Sequence, residues 1–295
     1  YRDGKYNDAI KQALDQAGTI RRIYKEVSGS DKGSDWFPIQ VVCESCQKVG
    51  TTRATAWDGK KVTYRCEKAM VKWAEGCGHE GSVDPFDGRA KLPWKVEWAA
   101  KFKVKGVHIE GAGKDHATKG GARDVARHIV QEVFDYPEPY DIPYNFFVVG
   151  GKKMSSSKGK GSSAREVGDL LPTHILRLLM MKEPKREIDF EPHGDTIPIL
   201  YDTHDKIASQ YFVQEKNDWT SVFPFVYAKA DRPPRSKFLP RFSQIAYLGQ
   251  MPHISLDNAV KEMKGSQLTE EERTEMNKRS TYAHTWLKGY SPEKY

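Results

Sequence analysis

No apolar run in this chain of 295 residues approaches the ~20 residues that a membrane-spanning helix needs. The longest are Phe146 to Val149 and Leu176 to Met181, the second interrupted by Arg177. Cysteine is also scarce: with 4 in the whole chain, a disulfide scaffold is excluded. A secretory leader would need an apolar stretch near the amino terminus, and Tyr1 to Lys25 instead alternates charged and apolar residues. These absences leave a water-soluble globular chain, expected in the cytosol and away from membranes. At 38 % apolar and 29 % charged residues it has neither collagen-like nor disordered composition, and its length suits about two domains. The balance of 47 Lys+Arg against 40 Asp+Glu permits a polyanionic partner such as nucleic acid without requiring one. The first residue is Tyr1 and not Met, so a processed or partial product is expected.

What is present reads as α/β. Ile10, Leu14, Ala17, Ile20 and Tyr24 recur at helical spacing and predict one amphipathic helix over Tyr6 to Val27. After the linker-like Ser28 to Asp35, the period shortens. Ile39 to Val42, Thr51 to Trp57 and Val62 to Arg65 read as strands bracketing the first three cysteines, a layout common to small zinc ribbons. Val104 to Ile109 is a strand candidate running into a loop at Gly111-Ala112-Gly113. Gly120 to Phe134 is helical through Val125, Ile129 and Val133, and Tyr144 to Val149 is a buried strand candidate. Strand, helix, strand is the βαβ pattern of a parallel sheet. Beyond it, Leu170 to Met181, Thr203 to Phe212 and Ser266 to Tyr282 read as helices.

Four sets of residues carry chemistry. Gly150 to Gly161 (GGKKMSSSKGKG) follows an apolar strand. Its glycines confer flexibility, its hydroxyls and N–H groups suit phosphate oxygens, and Lys153 and Lys158 can offset their charge. A solvated basic turn is the bland alternative. Gly113-Lys114-Asp115-His116 falls where a parallel strand would end, the edge at which open α/β sheets bind ligands, although an Asp before a helix is often only a cap. Trp94 and Trp98 in LPWKVEW could fill a core or line a pocket. Cys43 and Cys46 form a C-x-x-C knuckle that favours metal over disulfide in a reducing compartment. Cys66 and Cys77-Gly78-His79 complete the set, with ten residues between Cys66 and Cys77. Reduced, unliganded thiols are the alternative. Arg232, Arg235, Lys237 and Arg241, interleaved with Phe238 and Phe242, could track a nucleic-acid backbone or simply be solvated.

The string Lys153-Met154-Ser155-Ser156-Ser157-Lys158 resembles the KMSKS-type signature of class I aminoacyl-tRNA synthetases. In order, CESC, Cys77-Gly78-His79, LPWKVEW, GKDHATKGG, PYNFF and GGKKMSSSKG resemble class I lysyl-tRNA synthetases over nearly the whole chain. The resemblance implies ATP-dependent activation of lysine and transfer to tRNA(Lys), with Mg2+ and a zinc ion. It implies that Lys153 and Lys158 are catalytic, the latter stabilising the departing pyrophosphate. Gly113, Asp115, His116, Met154, Ser155, Ser156, Ser157 and Lys158 would face ATP, and Trp94, His116 and Tyr144 would line the lysine pocket, where a cation over an aromatic ring gains about 0.5 to 2 kcal/mol. Cys43, Cys46, Cys66 and Cys77 would hold zinc, with His79 as a substitute ligand. In the family the second cysteine pair stands close together, so Glu67 to Gly76 reads as an insertion.

The family's His-x-Gly-His signature is absent, since none of the 9 histidines pair at that spacing. The expected architecture is therefore the second half of a Rossmann-like catalytic domain with an inserted zinc ribbon, followed by a mostly α-helical domain. The expected divisions are a helical lead-in over 1–37, the ribbon over 38–90, the half-domain over 91–162, and over 163–295 a tRNA-contacting helical domain with the start of an anticodon-binding region. A fragment or split-gene product, inactive alone, is expected, with the missing half upstream or on a separate chain. Competing readings are another class I synthetase of glutamate or cysteine type, and a non-catalytic tRNA-binding module.

Overall fold

Helix α1 (Asn7–Asp15) buries Ile10, Ala13 and Leu14, and α2 (Ala17–Ser28) buries Ile20, Ile23 and Tyr24 before Gly29 ends it at a left-handed φ of 67°. The single helix expected over Tyr6 to Val27 is thus two. The break falls at Gln16, whose side-chain amide donates to the Val133 carbonyl at 3.0 Å, a tertiary bond that hydrophobic spacing does not reveal. The structure, a computed structural model, describes residues 1–154, 161, 163–181, 186–227 and 235–294. It divides into two units, Tyr1–Tyr144 and Asn145–Tyr295.

In the first unit, β1 (Gln40–Val41) pairs antiparallel with β5 (Ala90–Lys91), while β2 (Thr52–Trp57), β3 (Val62–Cys66) and β4 (Glu80–Val83) form an antiparallel meander. Along β3, Val62, Tyr64 and Cys66 point inward and the alternate residues outward, the period-two pattern of a half-buried strand. Pro93 opens α3 (Trp94–Lys105), and Gly106 closes it at φ 62°. Val104, expected in a strand, therefore belongs to this helix. The strand that follows is β6 (Ile109–Gly113), then come the short α4 (Lys114–Ala117), α5 (Ala122–Glu132) and β7 (Tyr140–Tyr144). Strands β6 and β7 are parallel, with Ile109 opposite Tyr140 and Gly113 opposite Tyr144. The βαβ order holds, but both strands are displaced from the expected segments, and Gly111 to Gly113 is strand and not loop. Helices α2, α3 and α5 share one core with the cysteine-bearing strands, built around Ile10, Ile20, Tyr64, Phe102 and Ile129.

The expected strand Tyr144 to Val149 is interrupted at Asn145, whose side-chain oxygen accepts from the Phe146 N–H at 2.8 Å, a local bond that diverts the backbone. The second unit begins there. Strand β8 (Phe147–Val149) turns back into β9 (Lys152–Lys153) and is flanked by β10 (Ile188–Asp189), in the order β10-β8-β9. The rest is helical. Pro172 bounds the helix expected over Leu170 to Met181, which runs as α7 (Thr173–Met181), while Leu170 closes a separate helix, α6 (Ala164–Leu170); α8 (Thr196–Phe212), α9 (Asp218–Val222), α10 (Phe242–Leu248), α11 (Leu256–Lys264) and α12 (Glu270–Tyr290) follow. The core of this unit gathers Leu170, Ile175, Tyr201, Phe242 and Trp286, with the Tyr201 and Phe242 rings stacked at 4.0 Å. Among the described residues no helix is long and apolar enough to cross a membrane.

Candidate active site and metal centre

Parallel pairing of β6 with β7 brings two strand ends to one edge, and that edge carries the three aromatic residues expected around lysine. Tyr144 is the last residue of β7 and Gly113 the last of β6, so α4, with His116, starts directly beside Tyr144. The Tyr144 ring lies against the β6 backbone: a Cβ on Gly111 would stand 3.4 Å from Tyr144 Cε1. Trp94, in the first turn of α3, meets the His116 ring edge-on at 5.1 Å and stacks on Trp98 at 5.7 Å. The return of the chain after His116 is tight, since a Cβ on Gly121 would come 2.5 Å from the His116 carbonyl oxygen.

Trp94 and His116 are thus in ring contact, and Tyr144 lies on the adjoining strand end. Trp94 is 55 % exposed and Tyr144 48 %, an unusual exposure for large aromatic side chains and one that leaves their faces open to a ligand. Beside them is a cleft of about 280 Å³ lined by Trp94, Glu97, Trp98, Lys101 and Glu110. Glu110 accepts from the Trp98 indole at 3.0 Å and from Lys101 at 3.3 Å, which fixes the ring on which Trp94 stacks. Sequence reasoning missed Glu110; its only signal is its place directly before Gly111. Asp115 Oδ1 stands 3.9 Å from His116 Nε2.

The lysine-rich loop belongs to the second unit. Gly150 and Gly151, at φ 55° and 72°, form a two-residue hairpin turn with both central residues left-handed, a geometry that glycine adopts at least cost. The Asp189 carboxylate accepts both of their N–H groups at 3.0 Å. These glycines therefore serve a clamped turn and not the flexibility expected of them, and their N–H groups face a carboxylate instead of a phosphate. Lys153 holds its ammonium 3.6 Å from the centre of the Phe146 ring. Met154 packs on Gly161, where a Cβ would meet its Cε at 2.6 Å. Ser155, Ser156, Ser157 and Lys158 lie outside the described residues. So does Arg232 of the basic segment; Arg235, Lys237 and Arg241 face Glu271, Glu275 and Asp202 at 3.7, 3.0 and 2.7 Å. Those three cations are largely neutralised within the chain.

The four cysteines converge. Their sulfurs all lie within 4.8 Å of one another, with Cys43 to Cys77 at 3.6 Å and Cys46 to Cys66 at 3.7 Å. Sulfurs placed tetrahedrally at the ~2.3 Å of a zinc–thiolate bond stand about 3.8 Å apart, so the set fits a tetrahedral ion. Thr51 Oγ1 lies 3.2 Å from Cys66 Sγ, and the Cys77 N–H donates to that sulfur at 3.3 Å, contacts that suit a thiolate. The N–H of His79 pulls the Cys77 thiol down to about 6. The ten residues between Cys66 and Cys77 return to their starting point: Gly78 N–H bonds the Cys66 carbonyl at 2.9 Å, and a Cβ on Gly76 would fall 2.2 Å from the Glu67 oxygen. His79 stands outside the sulfur set, its ring 6.1 Å from that of Tyr64.

The first unit thus carries an aromatic cluster at a parallel-strand edge and a four-sulfur centre, and the second a Lys-rich hairpin. The chain belongs to the class I tRNA synthetases (K), whose family model matches residues 1–226. It is similar to the lysine–tRNA ligase of Methanosphaera stadtmanae, 32 % identical over 99 % of this chain and 57 % of the relative. It is also similar to that of Methanosarcina barkeri, at 33 % over 99 % and 53 %, and to that of Methanocaldococcus jannaschii, at 37 % over 74 % and 40 %. The chain spans about half the length of the curated relatives it matches.

Proposed function

We propose that this chain is part of a lysine–tRNA ligase, which joins lysine to ATP as lysyl-adenylate and passes the lysyl group to tRNA(Lys). In the first step a lysine carboxylate oxygen attacks the α-phosphorus of ATP, a new O–P bond forms, and pyrophosphate leaves. In the second a terminal ribose hydroxyl of the tRNA takes the acyl group and AMP leaves. The observation that carries this reading is the contact of Trp94 with His116 at 5.1 Å, beside Tyr144 at the carboxyl edge of two parallel strands. Aromatic faces there suit the aliphatic stem and ammonium of lysine. By the resemblance, Gly113, Asp115 and His116 would border the nucleotide, and Lys153, Met154, Ser155, Ser156, Ser157 and Lys158 are the residues assigned to its phosphates, whose charge Mg2+ would offset when bound.

In this reading β6 and β7 belong to the second half of a Rossmann-like domain. Parallel strands are normally covered on both faces, and here Ile109, Tyr140, Ile142 and Tyr144 stand exposed on one. A segment bearing His-x-Gly-His, upstream or on a separate chain, would cover that face and complete the ATP site. Residues 38–90 form a zinc ribbon held by Cys43, Cys46, Cys66 and Cys77; the ion supplies folding energy to a subdomain with little core of its own. Residues 163–295 form the helical part that meets tRNA.

The test is Lys158→Ala in the complemented enzyme. A charge that meets the phosphates mainly as they separate acts on the transition state more than the ground state, so lysine-dependent ATP–pyrophosphate exchange should lose about 3 to 4 kcal/mol in kcat with little change in lysine affinity. An unchanged exchange rate would make the loop structural.

A further inference from the structure

The largest group of buried titratable side chains that this reading leaves unused lies in the second unit. Helices α7, α8 and α12 and the 3-10 turn Phe223–Tyr227 enclose a cavity of about 660 Å³, inside the ~300–1,000 Å³ range of small-molecule clefts. Its lining includes four aromatic rings, those of Phe212, Phe223, Tyr227 and Phe238, among charged and polar residues. They are also held rigidly. Tyr227 bonds His204 Nε2 at 2.7 Å, His204 Nδ1 lies 3.1 Å from Asp205, and both Asp205 oxygens accept from the Arg279 guanidinium at 2.6 Å. The His174 ring stacks on Tyr227 at 5.2 Å with 15° between the planes.

Two polar groups of the lining are left over. His174 makes no hydrogen bond among the described residues, and burial lowers its pKa to about 4, so at neutral pH it offers one acceptor and one donor nitrogen. Lys278, exposed at the rim, has no carboxylate partner among the described residues, whereas Arg235, Lys237 and Arg279 are paired with Glu271, Glu275 and Asp205. A flat ligand with a polar edge and one external negative charge satisfies this arrangement. We propose that the cavity binds one unpaired nucleobase of RNA, its faces against the aromatic walls, its edge on His174 and its phosphate at Lys278. Stacking of this kind accepts any base, because every base has a π-face. The inference rests on the proposal that RNA is a partner and not on lysine as the substrate.

The test uses the full chain with adenosine 5′-monophosphate, and with a single-stranded RNA hexamer in normal and abasic forms. Calorimetry should give saturable AMP binding that falls at least tenfold in Ser209→Trp, which plugs the mouth from an exposed position, and about fivefold in His174→Phe, which keeps the ring and removes its nitrogens. The normal hexamer should bind at least tenfold more tightly than the abasic one. Equal affinity of both variants and wild type for AMP, or of the two hexamers, would overturn the site while leaving RNA binding intact. No binding of either RNA would overturn both this inference and the tRNA reading beneath it.

Discussion

The two units organise their buried polar chemistry in opposite ways. In the first, four sulfurs stand at tetrahedral spacing with Cys43 and Cys66 fully buried, an arrangement whose centre calls for a cation from outside the chain. In the second, the chain supplies both signs itself: Arg279, with 1 % of its side chain exposed, is bound by Asp205 and Glu275 and by the Pro240 carbonyl at 2.8 Å. Burial raises the Glu275 carboxyl, yet Arg279 and Lys237 outweigh it and hold the group at about 2. If the sulfur set holds a metal as proposed, the contrast predicts that the first unit responds to chelation and the second chiefly to pH.

The sharpest way to break that comparison is to remove the metal. Structural zinc contributes on the order of 10 kcal/mol of apparent binding free energy to small domains. Chelator, or Cys66→Ser, should therefore unfold the β2-β3-β4 meander and lower the thermal transition of the first unit, leaving the second transition in place. Elemental analysis and calorimetry check this, and well under one zinc per chain with unchanged unfolding would remove the metal site. The converse perturbation is Arg279→Ala. Removing one partner of a buried ion pair leaves uncompensated charge and costs about 3 to 5 kcal/mol; the loss should appear in the second unit alone and be insensitive to chelator.

A milder probe is pH. His174 is lowered by burial from 6.5 to about 4 and Glu275 from 4.5 to about 2, and Asp205 is also lowered as Arg279 outweighs its desolvation. Each folded-state pKa lies below its unfolded value, so each group's stabilisation is complete above the unfolded pKa and lost as pH falls through the folded one. Stability of the second unit should decline from about pH 6.5 and most steeply between about pH 4.5 and 2, as urea titrations at fixed metal would record. A flat profile over that window would contradict the ionic account.

How much of this was legible beforehand follows the range of the interactions. Cys43 and Cys46 announce themselves by spacing, and Trp94 and His116 through the strings around them. The return of Cys77 to Cys66 is less legible, because it depends on Gly76 and Gly78 closing a ten-residue excursion. The Asp189 clamp on Gly150 and Gly151 spans nearly forty residues and leaves no local mark. Arg279 sits in a charged stretch that reads as a solvated helix face, although the fold buries it completely. Strand ends were misplaced where local side-chain bonds, as at Asn145, outweighed an apolar run.

Lysine-dependent ATP–pyrophosphate exchange tests the central claim most directly, measured with this chain alone and with a segment carrying His-x-Gly-His added in trans or fused. On the proposal that a His-x-Gly-His segment completes the ATP site, the account predicts negligible exchange by the chain alone, because that segment would supply phosphate contacts on one side of the nucleotide. It predicts robust exchange in the complemented protein with lysine, and none with glutamate or cysteine, abolished by Trp94→Ala and His116→Ala. Robust exchange by the chain alone, or complemented exchange that runs on glutamate or cysteine and survives both substitutions, would contradict it.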